Sequence, residues 1–244
     1  MDNATRKTIK IDESHIVIFD DFREVKLDEK ADLIFVDPPF GIEFKGNLQT
    51  YHRTPDALSY TEVPRKDYPD FIRSLTKWCY EALKASGSMW LVSGWNNLRT
   101  VLDAVEDVGF IQLNHCVWKY QFGVFTRKRF TTSHYHLLLL VKDRKNYVFN
   151  KPRHYAEDVW EIKRPYHRGE KTAGNELPDS LVEECITTSS NKGDLVIDPC
   201  LGSGTTMKTC LKNGRRCIGI EINQSVEVRI RQKIGLDLYK QVIS

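Results

Sequence analysis

The residues of this sequence best equipped for chemistry stand in two short motifs. The first, Asp37-Pro38-Pro39-Phe40, follows the apolar run 33–36, whose composition is typical of a strand covered on both faces. Neither proline can donate to a β-ladder, so the strand stops and presents a carboxylate, a backbone carbonyl and an aromatic face to one space. This set suits a flat ring that bears an exocyclic amine. Alone, the motif is as consistent with a simple strand-ending turn, because Asp and Pro are common turn residues.

The second motif is a glycine turn between a predicted strand and a predicted helix. Its glycines let the backbone approach a ligand closely, and the helix presents unpaired amides at its N-terminus. About twenty residues on, the strand 216–221 ends in Glu221, an arrangement that holds ribose hydroxyls in nucleotide-binding α/β folds. A dinucleotide fingerprint fails, because its third glycine would fall at Met207, and the sequence has no P-loop signature. The motif consists of Asp198, Pro199, Cys200, Leu201, Gly202, Ser203, Gly204, Thr205 and Thr206.

In this order, and each after a predicted strand, the two motifs resemble those of the β-class S-adenosylmethionine-dependent amino-methyltransferases of DNA. The resemblance covers nearly the whole chain. The chain departs from the family pattern at Cys200, where an aromatic residue is usual, and over 171–178, where the family usually has a Lys-Pro-rich stretch. The resemblance implies S-adenosylmethionine as the cofactor and double-stranded DNA as the partner.

The resemblance also implies a role for each motif residue. Asp37, Pro38, Pro39 and Phe40 are expected to be catalytic. A second cofactor-side carboxylate is expected after the strand 15–19, where the spacing to Phe22 and Val25 favours Asp20 over Asp21, although either aspartate could be a solvated turn residue. The expected cofactor-binding residues are Asp20, Asp37, Asp198, Pro199, Cys200, Gly202, Ser203, Gly204, Thr205, Glu221 and Asn223.

Length and composition indicate one domain. A chain of 244 residues with 41% hydrophobic residues can fill the core of a single α/β domain. We expect a catalytic half (1–142), a short recognition segment (143–168) and a cofactor half (169–244). The N-terminus has no apolar leader and the aliphatic run 137–141 is too short to cross a bilayer, so we expect a cytoplasmic protein with no membrane partner. The six cysteines form no C-x-x-C pair, which indicates reduced thiols and no metal site.

The order of predicted elements indicates the fold class. Strands and amphipathic helices alternate through most of the chain, including a helix that begins near Pro69 and is closed by Gly87. The strands 113–118 and 135–141 follow each other without a helix, which predicts an antiparallel hairpin at one edge. We therefore expect a doubly wound, mostly parallel Rossmann-like methyltransferase sheet. The long polar segment 41–68 is expected to be a lid or a binding loop.

Positive charge is concentrated between the two motifs. Residues 111–168 contain twelve Lys or Arg and four Asp or Glu, a net charge of +8, whereas the whole chain carries +3. Aromatic residues are interleaved with this charge, a mixture suited to phosphate contacts and base stacking. The alternative is a solvated basic face, but the position between the motifs favours nucleic acid. The expected nucleic-acid-binding residues are Arg127, Lys128, Arg129, Lys142, Arg144, Lys145, Lys151 and Arg153.

These features together predict site-specific methylation of an exocyclic amine in DNA. The resemblance favours the N6 amine of adenine over the N4 amine of cytosine, because Asp heads the first motif. The alternatives are a methyltransferase for RNA or for protein glutamine and a catalytically idle binding module on the same fold. A homodimer and a restriction nuclease partner, as in restriction-modification, would each be compatible with the sequence.

Overall fold

The computed structural model describes residues 6–42, 63–123, 125–164 and 176–236. Most of the predicted lid or binding loop, and residues 165–168 of the predicted recognition segment, lie outside these ranges. The strands are β1 (Lys7–Lys10), β2 (His15–Phe19), β3 (Ala31–Val36), β4 (Leu83–Ser93), β5 (Ile111–Lys119), β6 (His134–Val141), β7 (Val159–Glu161), β8 (Leu195–Asp198) and β9 (Arg216–Glu221). The helices are α1 (Tyr68–Ala82), α2 (Leu98–Asp107), α3 (Asp179–Ser189), α4 (Thr205–Asn213) and α5 (Glu227–Lys233).

The described strands form one sheet in the order β1-β2-β9-β8-β3-β4-β6-β5-β7. The five central strands, β2, β9, β8, β3 and β4, are parallel to one another. Strand β1 is antiparallel to β2, and β6 is antiparallel to both β4 and β5. The predicted α/β, mostly parallel Rossmann-like fold with an antiparallel hairpin is therefore confirmed. The hairpin is not outermost, however, because β7 pairs with β5 in parallel and takes the edge position.

Helices cover both faces of the sheet, as a doubly wound fold requires. Successive residues of β3 point to opposite faces, so its apolar run contributes to two core layers at once. One layer includes Leu33, Phe35, Leu181, Met207 and Ile230, from β3, α3, α4 and α5. The other includes Ile34, Val36, Ile72 and Val101, from β3, α1 and α2. Burial on both faces explains why this strand lacks the polar alternation of a half-exposed strand.

The parallel strands give the sheet two chemically different ends. We call the end at which β2, β9, β8, β3 and β4 terminate the carboxyl end of the sheet, and the opposite one the amino end. Because β6 runs against β4, with His136 opposite Ser93 and Val141 opposite Ser88, β6 begins at the carboxyl end and finishes at the amino end. Loops before and after β6 therefore lie at opposite ends of the sheet.

The prediction that Gly87 closes the first amphipathic helix is wrong. Helix α1 already ends at Ala82, and Gly87 lies inside β4. A Cβ on Gly87 would come within 2.7 Å of a Leu83 methyl group and 3.2 Å of the Ala31 carbonyl oxygen. The β3–β4 register shifts between Ala31 and Leu33. Glycine here permits a close backbone approach at a strand irregularity, a second common reason for glycine between two apolar runs.

The six thiols of the chain are free, five of them buried and that of Cys200 half-buried. Within the part of the chain that the structure describes, no helix combines the length and the apolar character needed to cross a membrane.

Candidate active site and cofactor pocket

Carboxylates from neighbouring strands meet at the carboxyl end of the sheet. Asp37 follows β3, Asp198 is the last residue of β8, and Glu221 is the last residue of β9. Strand β8 pairs with both β3 and β9, so the three ends lie side by side. Asp20 directly follows β2, which pairs with β9, and its backbone amide donates to the Glu221 carbonyl oxygen at 3.1 Å. The fold thus brings four predicted acids to one end of the sheet.

The glycine turn is held by two of these acids. The Asp198 carboxylate accepts hydrogen bonds from the Thr206 hydroxyl at 2.6 Å and the Cys200 amide at 2.9 Å. The Glu221 carboxylate accepts one from the Gly202 amide at 2.8 Å. The turn is therefore fixed to β8 at its start and to β9 at its middle.

Both glycines of the turn adopt backbone angles that favour glycine. Gly202 has φ +54° and Gly204 has φ +90°. A Cβ on Gly202 would meet no atom nearer than the Cys200 carbonyl oxygen at 3.9 Å, so open space lies above this residue. Gly204 is the N-cap of α4 and has no side chain to occupy the first-turn amides of that helix. An open backbone cradle beside a carboxylate and a helix N-terminus fits a nucleoside-bearing cofactor.

The structure distinguishes Asp20 from Asp21. The Asp21 side chain accepts from the backbone amide of Arg23 and pairs with its guanidinium, so it caps the 3-10 turn Phe22–Glu24. Asp20 lies next to Glu221, and Arg6 is 3.9 Å from its carboxylate. The geometry favours Asp20 as the cofactor-side acid, and its cofactor role stays a prediction.

Asn223 turns back toward its own segment. Its side-chain oxygen accepts a hydrogen bond from the Ser225 backbone amide and caps the 3-10 turn Gln224–Val226. The backbone amide of Asn223 donates to the Glu221 carboxylate at 2.8 Å. Through that bond Asn223 helps to orient Glu221. The assignment of both residues to cofactor binding stays a prediction.

Burial sets the electrostatics of the site. Burial, followed by the negative charge of Asp198, raises the pKa of Asp37 to about 7, while the positive charge of Arg164 acts in the opposite direction. Burial also raises the pKa of Asp198 to about 7 against the hydrogen bonds from Thr206 and Cys200. Burial likewise raises the pKa of Glu221. Acids crowded in a partly desolvated space favour a neutral or positively charged ligand over an anion.

Phe40 is held by residues that sequence reasoning missed. The Asn97 side-chain amide donates to the Phe40 carbonyl oxygen at 2.6 Å, and the Tyr135 ring meets the Phe40 ring edge-on at 5.1 Å between centroids. A Cβ on Gly94 would lie 3.3 Å from the Phe40 ring. The segment that follows β4 therefore positions the aromatic residue of the first motif. The signal available in the sequence was Gly94 and Asn97 just beyond a predicted buried strand.

Tyr135 continues into a larger group, which we call the aromatic cluster and define as Phe40, Trp118, Tyr120 and Tyr135. The Tyr135 ring lies 5.7 Å from that of Trp118 and 5.6 Å from that of Tyr120. The guanidinium of Arg164 lies over this cluster. From the sequence, Tyr120 and Arg164 were expected only as part of the basic aromatic segment, and Trp118 and Tyr135 only as ends of the hairpin strands. The pairing of β5 with β6 brings these residues together next to Phe40.

Three of the predicted nucleic-acid-binding residues, Arg127, Lys128 and Arg129, lie in the loop between β5 and β6. The loop closes where the Tyr120 amide donates to the Ser133 carbonyl oxygen at 2.9 Å, at the carboxyl end of the sheet. Phe125 and Phe130 flank the basic residues with 79% and 99% of their surface exposed. We call residues 121–133 the hairpin loop.

The structure does not bring the other five predicted residues to the site. Lys142 follows the end of β6, donates to the Leu83 carbonyl oxygen at 2.7 Å and lies 4.3 Å from the centre of the Tyr80 ring. Arg153 pairs with Glu184, in the middle of α3, at 2.6 Å. We call Lys142, Arg144 and Lys145 the amino-end run. Arg153 lies along α3, and Asn150, next to Lys151, donates through its backbone amide to the Thr188 carbonyl oxygen near the end of that helix. The amino-end run follows β6 at the amino end of the sheet, so the positions of these residues do not support the contact with nucleic acid that the sequence predicted.

Known proteins share both the sequence pattern and the fold. The chain is 27% identical over 216 residues to the type II methyltransferase M.HpaI of Haemophilus parainfluenzae, covering 81% of this chain and 66% of that protein. It is 28% identical to the DNA adenine methyltransferase YhdJ of Escherichia coli (strain K12), covering 80% of this chain and 73% of that one. The chain thus spans about two thirds to three quarters of the length of these relatives.

Solved structures with low sequence identity share the fold. The M1.HpyAVI-SAM complex superposes with a TM-score of 0.62 at 21% identity, over 84% of this chain and 89% of that one. The PvuII DNA methyltransferase (cytosine-N4-specific) superposes with a TM-score of 0.68 at 16% identity, over 91% and 93%. The family model described as DNA methylase matches residues 31–231, which include the first motif, the hairpin, the glycine turn and Glu221. The chain therefore belongs to the DNA methylase family.

Proposed function

We propose that the protein transfers a methyl group from S-adenosylmethionine to the N6 amine of an adenine in DNA. The observation that carries the proposal is the adjacency of the two motifs. Strands β3 and β8 pair directly, with Ile34 opposite Ile197, so the Asp37-Pro38-Pro39-Phe40 turn and the glycine turn open at the same end of the sheet. A methyl donor above one turn and an amine above the other would be neighbours.

The target amine lies inside the duplex stack, so the base must leave the helix before it can reach Asp37. Base flipping costs a few kcal/mol. Stacking on the Phe40 ring, worth about 1–3 kcal/mol per base, offsets part of that cost. The Asn97 and Tyr135 contacts hold the ring in place before the base arrives.

An aromatic amine is a weak nucleophile because its lone pair is conjugated with the ring. Asp37 and the Pro38 carbonyl oxygen can each accept a hydrogen bond from the amine, which favours a pyramidal nitrogen and stabilises the positive charge that develops as the new bond forms. S-adenosylmethionine supplies an activated methyl group as its sulfonium. The remaining work of the protein is to position and polarise the amine.

The cofactor-binding residues are assigned to the second turn and its neighbours. Glu221 offers a carboxylate for ribose hydroxyls, Gly202 and Gly204 allow close backbone contact, and Asp20 lies beside Glu221. Asp198 contacts the turn itself, so its role is to shape the loop. The remaining residues assigned to the pocket are Pro199, Cys200, Ser203, Thr205 and Asn223.

DNA is assigned to the hairpin loop. Its three cations suit phosphate contacts, and the exposed Phe125 and Phe130 rings suit stacking on bases. The loop lies at the same end of the sheet as Asp37, so a duplex held by it can present a base to the first motif. A second copy of the chain and a restriction nuclease stay predictions.

Incubation of the protein with labelled S-adenosylmethionine and unmethylated genomic DNA, followed by digestion to nucleosides, tests the proposal. We expect label in N6-methyldeoxyadenosine. Label in N4-methyldeoxycytidine would keep the reaction and change the base, whereas label only on RNA or protein offered in parallel would change the substrate class. No transfer to any of these substrates would contradict the proposal.

A further inference from the structure

Arg164 is a cation placed among the aromatic rings that lead to Phe40 of the first motif. Its guanidinium carbon lies 4.0 Å from the ring centre of Tyr120, 4.9 Å from that of Tyr135 and 5.2 Å from that of Trp118. Tyr135 in turn contacts Phe40. One side chain therefore touches three of the four members of the aromatic cluster, and cation–π attraction to several partly buried rings fixes its position.

The backbone of Arg164 is held as well. The Gln121 side chain accepts a hydrogen bond from the Arg164 amide at 2.9 Å and donates one to the Arg164 carbonyl oxygen at 3.2 Å. Just upstream, the Ile162 carbonyl oxygen accepts from the Trp118 indole at 2.8 Å, which fixes this segment against β5. Arg164 is thus presented by a clamped segment and not by a free side chain on a surface loop.

The Nε atom of Arg164 is buried within the part of the chain that the structure describes. This atom has no hydrogen-bond partner among the described residues, and the contacts of the guanidinium there are with the rings of Tyr120, Tyr135 and Trp118. A buried guanidinium nitrogen without a hydrogen-bond partner is costly, so such residues commonly serve a ligand or a site. The positive charge of Arg164 acts on Asp37, the proposed acceptor for the target amine.

We propose that Arg164 is a positioning residue of the target pocket, whose planar guanidinium holds the aromatic wall around Phe40 and whose positive charge favours the ionised form of Asp37. This inference rests on the proposed role of Asp37 as the acceptor for the target amine. An ionised carboxylate accepts strong hydrogen bonds and stabilises developing positive charge, whereas a protonated one does both poorly.

The charged and titratable groups that act on Asp37 oppose one another. Burial and Asp198, at the end of the neighbouring strand β8, favour the protonated acid, and Arg164 favours the carboxylate. The Cys200 thiol also faces Asp37, but burial raises its pKa far above the working range, so it stays neutral. Removal of the positive charge at position 164 should therefore raise the pKa of Asp37. The fraction of active enzyme at a given acidic pH would then fall.

Two substitutions separate the charge of Arg164 from its shape. Arg164→Gln removes the charge and keeps a planar polar group, whereas Arg164→Lys keeps the charge and loses the planar fork. Lys163→Ala, at an exposed neighbouring cation, is the matched control for a general loss of positive charge. The measurement is the pH dependence of the initial methylation rate on genomic DNA at limiting DNA and saturating labelled S-adenosylmethionine, with cofactor affinity and thermal midpoint recorded for each variant.

We expect the acid limb of the pH–rate profile to move to higher pH in Arg164→Gln. In Arg164→Lys and Lys163→Ala this limb should stay at the pH of the unsubstituted protein. Each unit of displacement lowers the rate on that limb about tenfold at fixed pH. Arg164→Lys should instead weaken productive DNA binding at every pH. The inference would be overturned if the acid limb of the pH–rate profile lay at the same pH in Arg164→Gln and the unsubstituted protein. It would also be overturned if that limb moved equally in Arg164→Gln and Arg164→Lys. Full activity of Asp37→Ala would overturn the proposed role of Asp37 itself, so the two failures are distinguishable.

Discussion

The hairpin loop and the amino-end run are alike in sequence and different in position. Each carries three closely spaced cations, and only β6 and a few residues separate them. Strand β6 crosses the whole sheet, about 24 Å for its eight residues, and leaves one group at the carboxyl end and the other at the amino end. The direction of a strand, which charge counting ignores, therefore decides which cations face the candidate active site.

The contacts of the two groups differ in the same sense. Lys142 contacts the Leu83 carbonyl oxygen and the Tyr80 ring, and burial lowers its pKa. These contacts join the end of β6 to the junction between α1 and β4. The hairpin loop, by contrast, exposes Phe130 almost completely. Lys142 therefore stabilises the fold, whereas the hairpin loop is exposed and can contact a partner, although the two groups have similar composition.

The largest contrast between the two ends of the sheet should come from their acids. We expect Asp37→Ala to lower turnover on the order of 10²–10³-fold or more, because the target amine loses its acceptor in the transition state, with cofactor affinity nearly unchanged. Asp143→Ala, at an exposed acid next to the amino-end run, is the control and should retain activity. Parallel loss of cofactor affinity and turnover in Asp37→Ala, measured by titration and by label transfer, would contradict the assigned role.

Two glycines with positive φ allow a matched test of the cofactor turn. Gly202→Val should weaken S-adenosylmethionine binding at least tenfold or so, because it places a side chain over the cradle and strains the turn by roughly 1–2 kcal/mol. Gly193, at the amino end, has φ +86°, and a Cβ there would meet no atom within 4 Å, so Gly193→Val introduces comparable strain away from the pocket. Both variants should melt earlier, but only the first should lose cofactor affinity. Equal S-adenosylmethionine affinities of the two variants, measured by calorimetry, would exclude a cofactor site over Gly202.

The two basic groups should differ in the salt dependence of DNA binding. Replacement of Arg127, Lys128 and Arg129 by Ala should reduce the slope of log affinity against log salt by about 0.9 per lost phosphate contact. The same triple replacement of Lys142, Arg144 and Lys145 should leave the slope near its original value, with some loss of stability from the contacts of Lys142. The slopes are measured by fluorescence anisotropy. A smaller slope in the amino-end triple variant and an unchanged slope in the hairpin-loop triple variant would assign DNA binding to the amino end.

The smallest contrast concerns stability against pH. Burial raises the pKa of Asp37 and Asp198 to about 7, above the unfolded value near 3.8, so the folded protein binds these protons more tightly and gains stability as pH falls from about 7 toward 4. At the amino end, pairing with Arg216 lowers the pKa of Glu29, so its contribution is lost only at lower pH. Asp37→Asn should flatten the rise of the thermal midpoint between pH 7 and about 5, and Glu29→Gln should not. Identical profiles of thermal midpoint against pH for the unsubstituted protein, Asp37→Asn and Glu29→Gln would show that the pKa values of Asp37 and Glu29 are not shifted by folding.

Local signals made half of the site predictable. Pro38 and Pro39 prevent β3 from continuing, so Asp37 directly follows its last residue, and glycine opens the turn after β8. Both residue types act within a few positions of themselves. The partners of Phe40 were not predictable in the same way. Tyr135 reaches Phe40 only because β6 is antiparallel to β4, and Arg164 reaches Tyr135 only because β7 pairs with β5. Such contacts depend on strand pairing, which a single sequence specifies weakly.

The same limit explains the two errors in the elements. Gly87 satisfied the pattern of a helix end, although a close backbone approach between β3 and β4 is what requires it. The hairpin was expected at the edge because β7 has three residues, too few to produce a clear alternation. The predicted fold class was nevertheless correct, since it depends on the number and order of the longer elements.

Leu201, between the two halves of the glycine turn, has a consequence for the thermodynamics of binding. Its amide donates to the Ile220 carbonyl oxygen at 2.9 Å, and its side chain lies so close to Gly219 that a Cβ there would come within 2.4 Å of a methyl group. The turn is thereby anchored on β9 in the free protein. Little conformational entropy remains for a ligand to remove, so association should be limited by desolvation of the carboxylates and not by ordering of the loop.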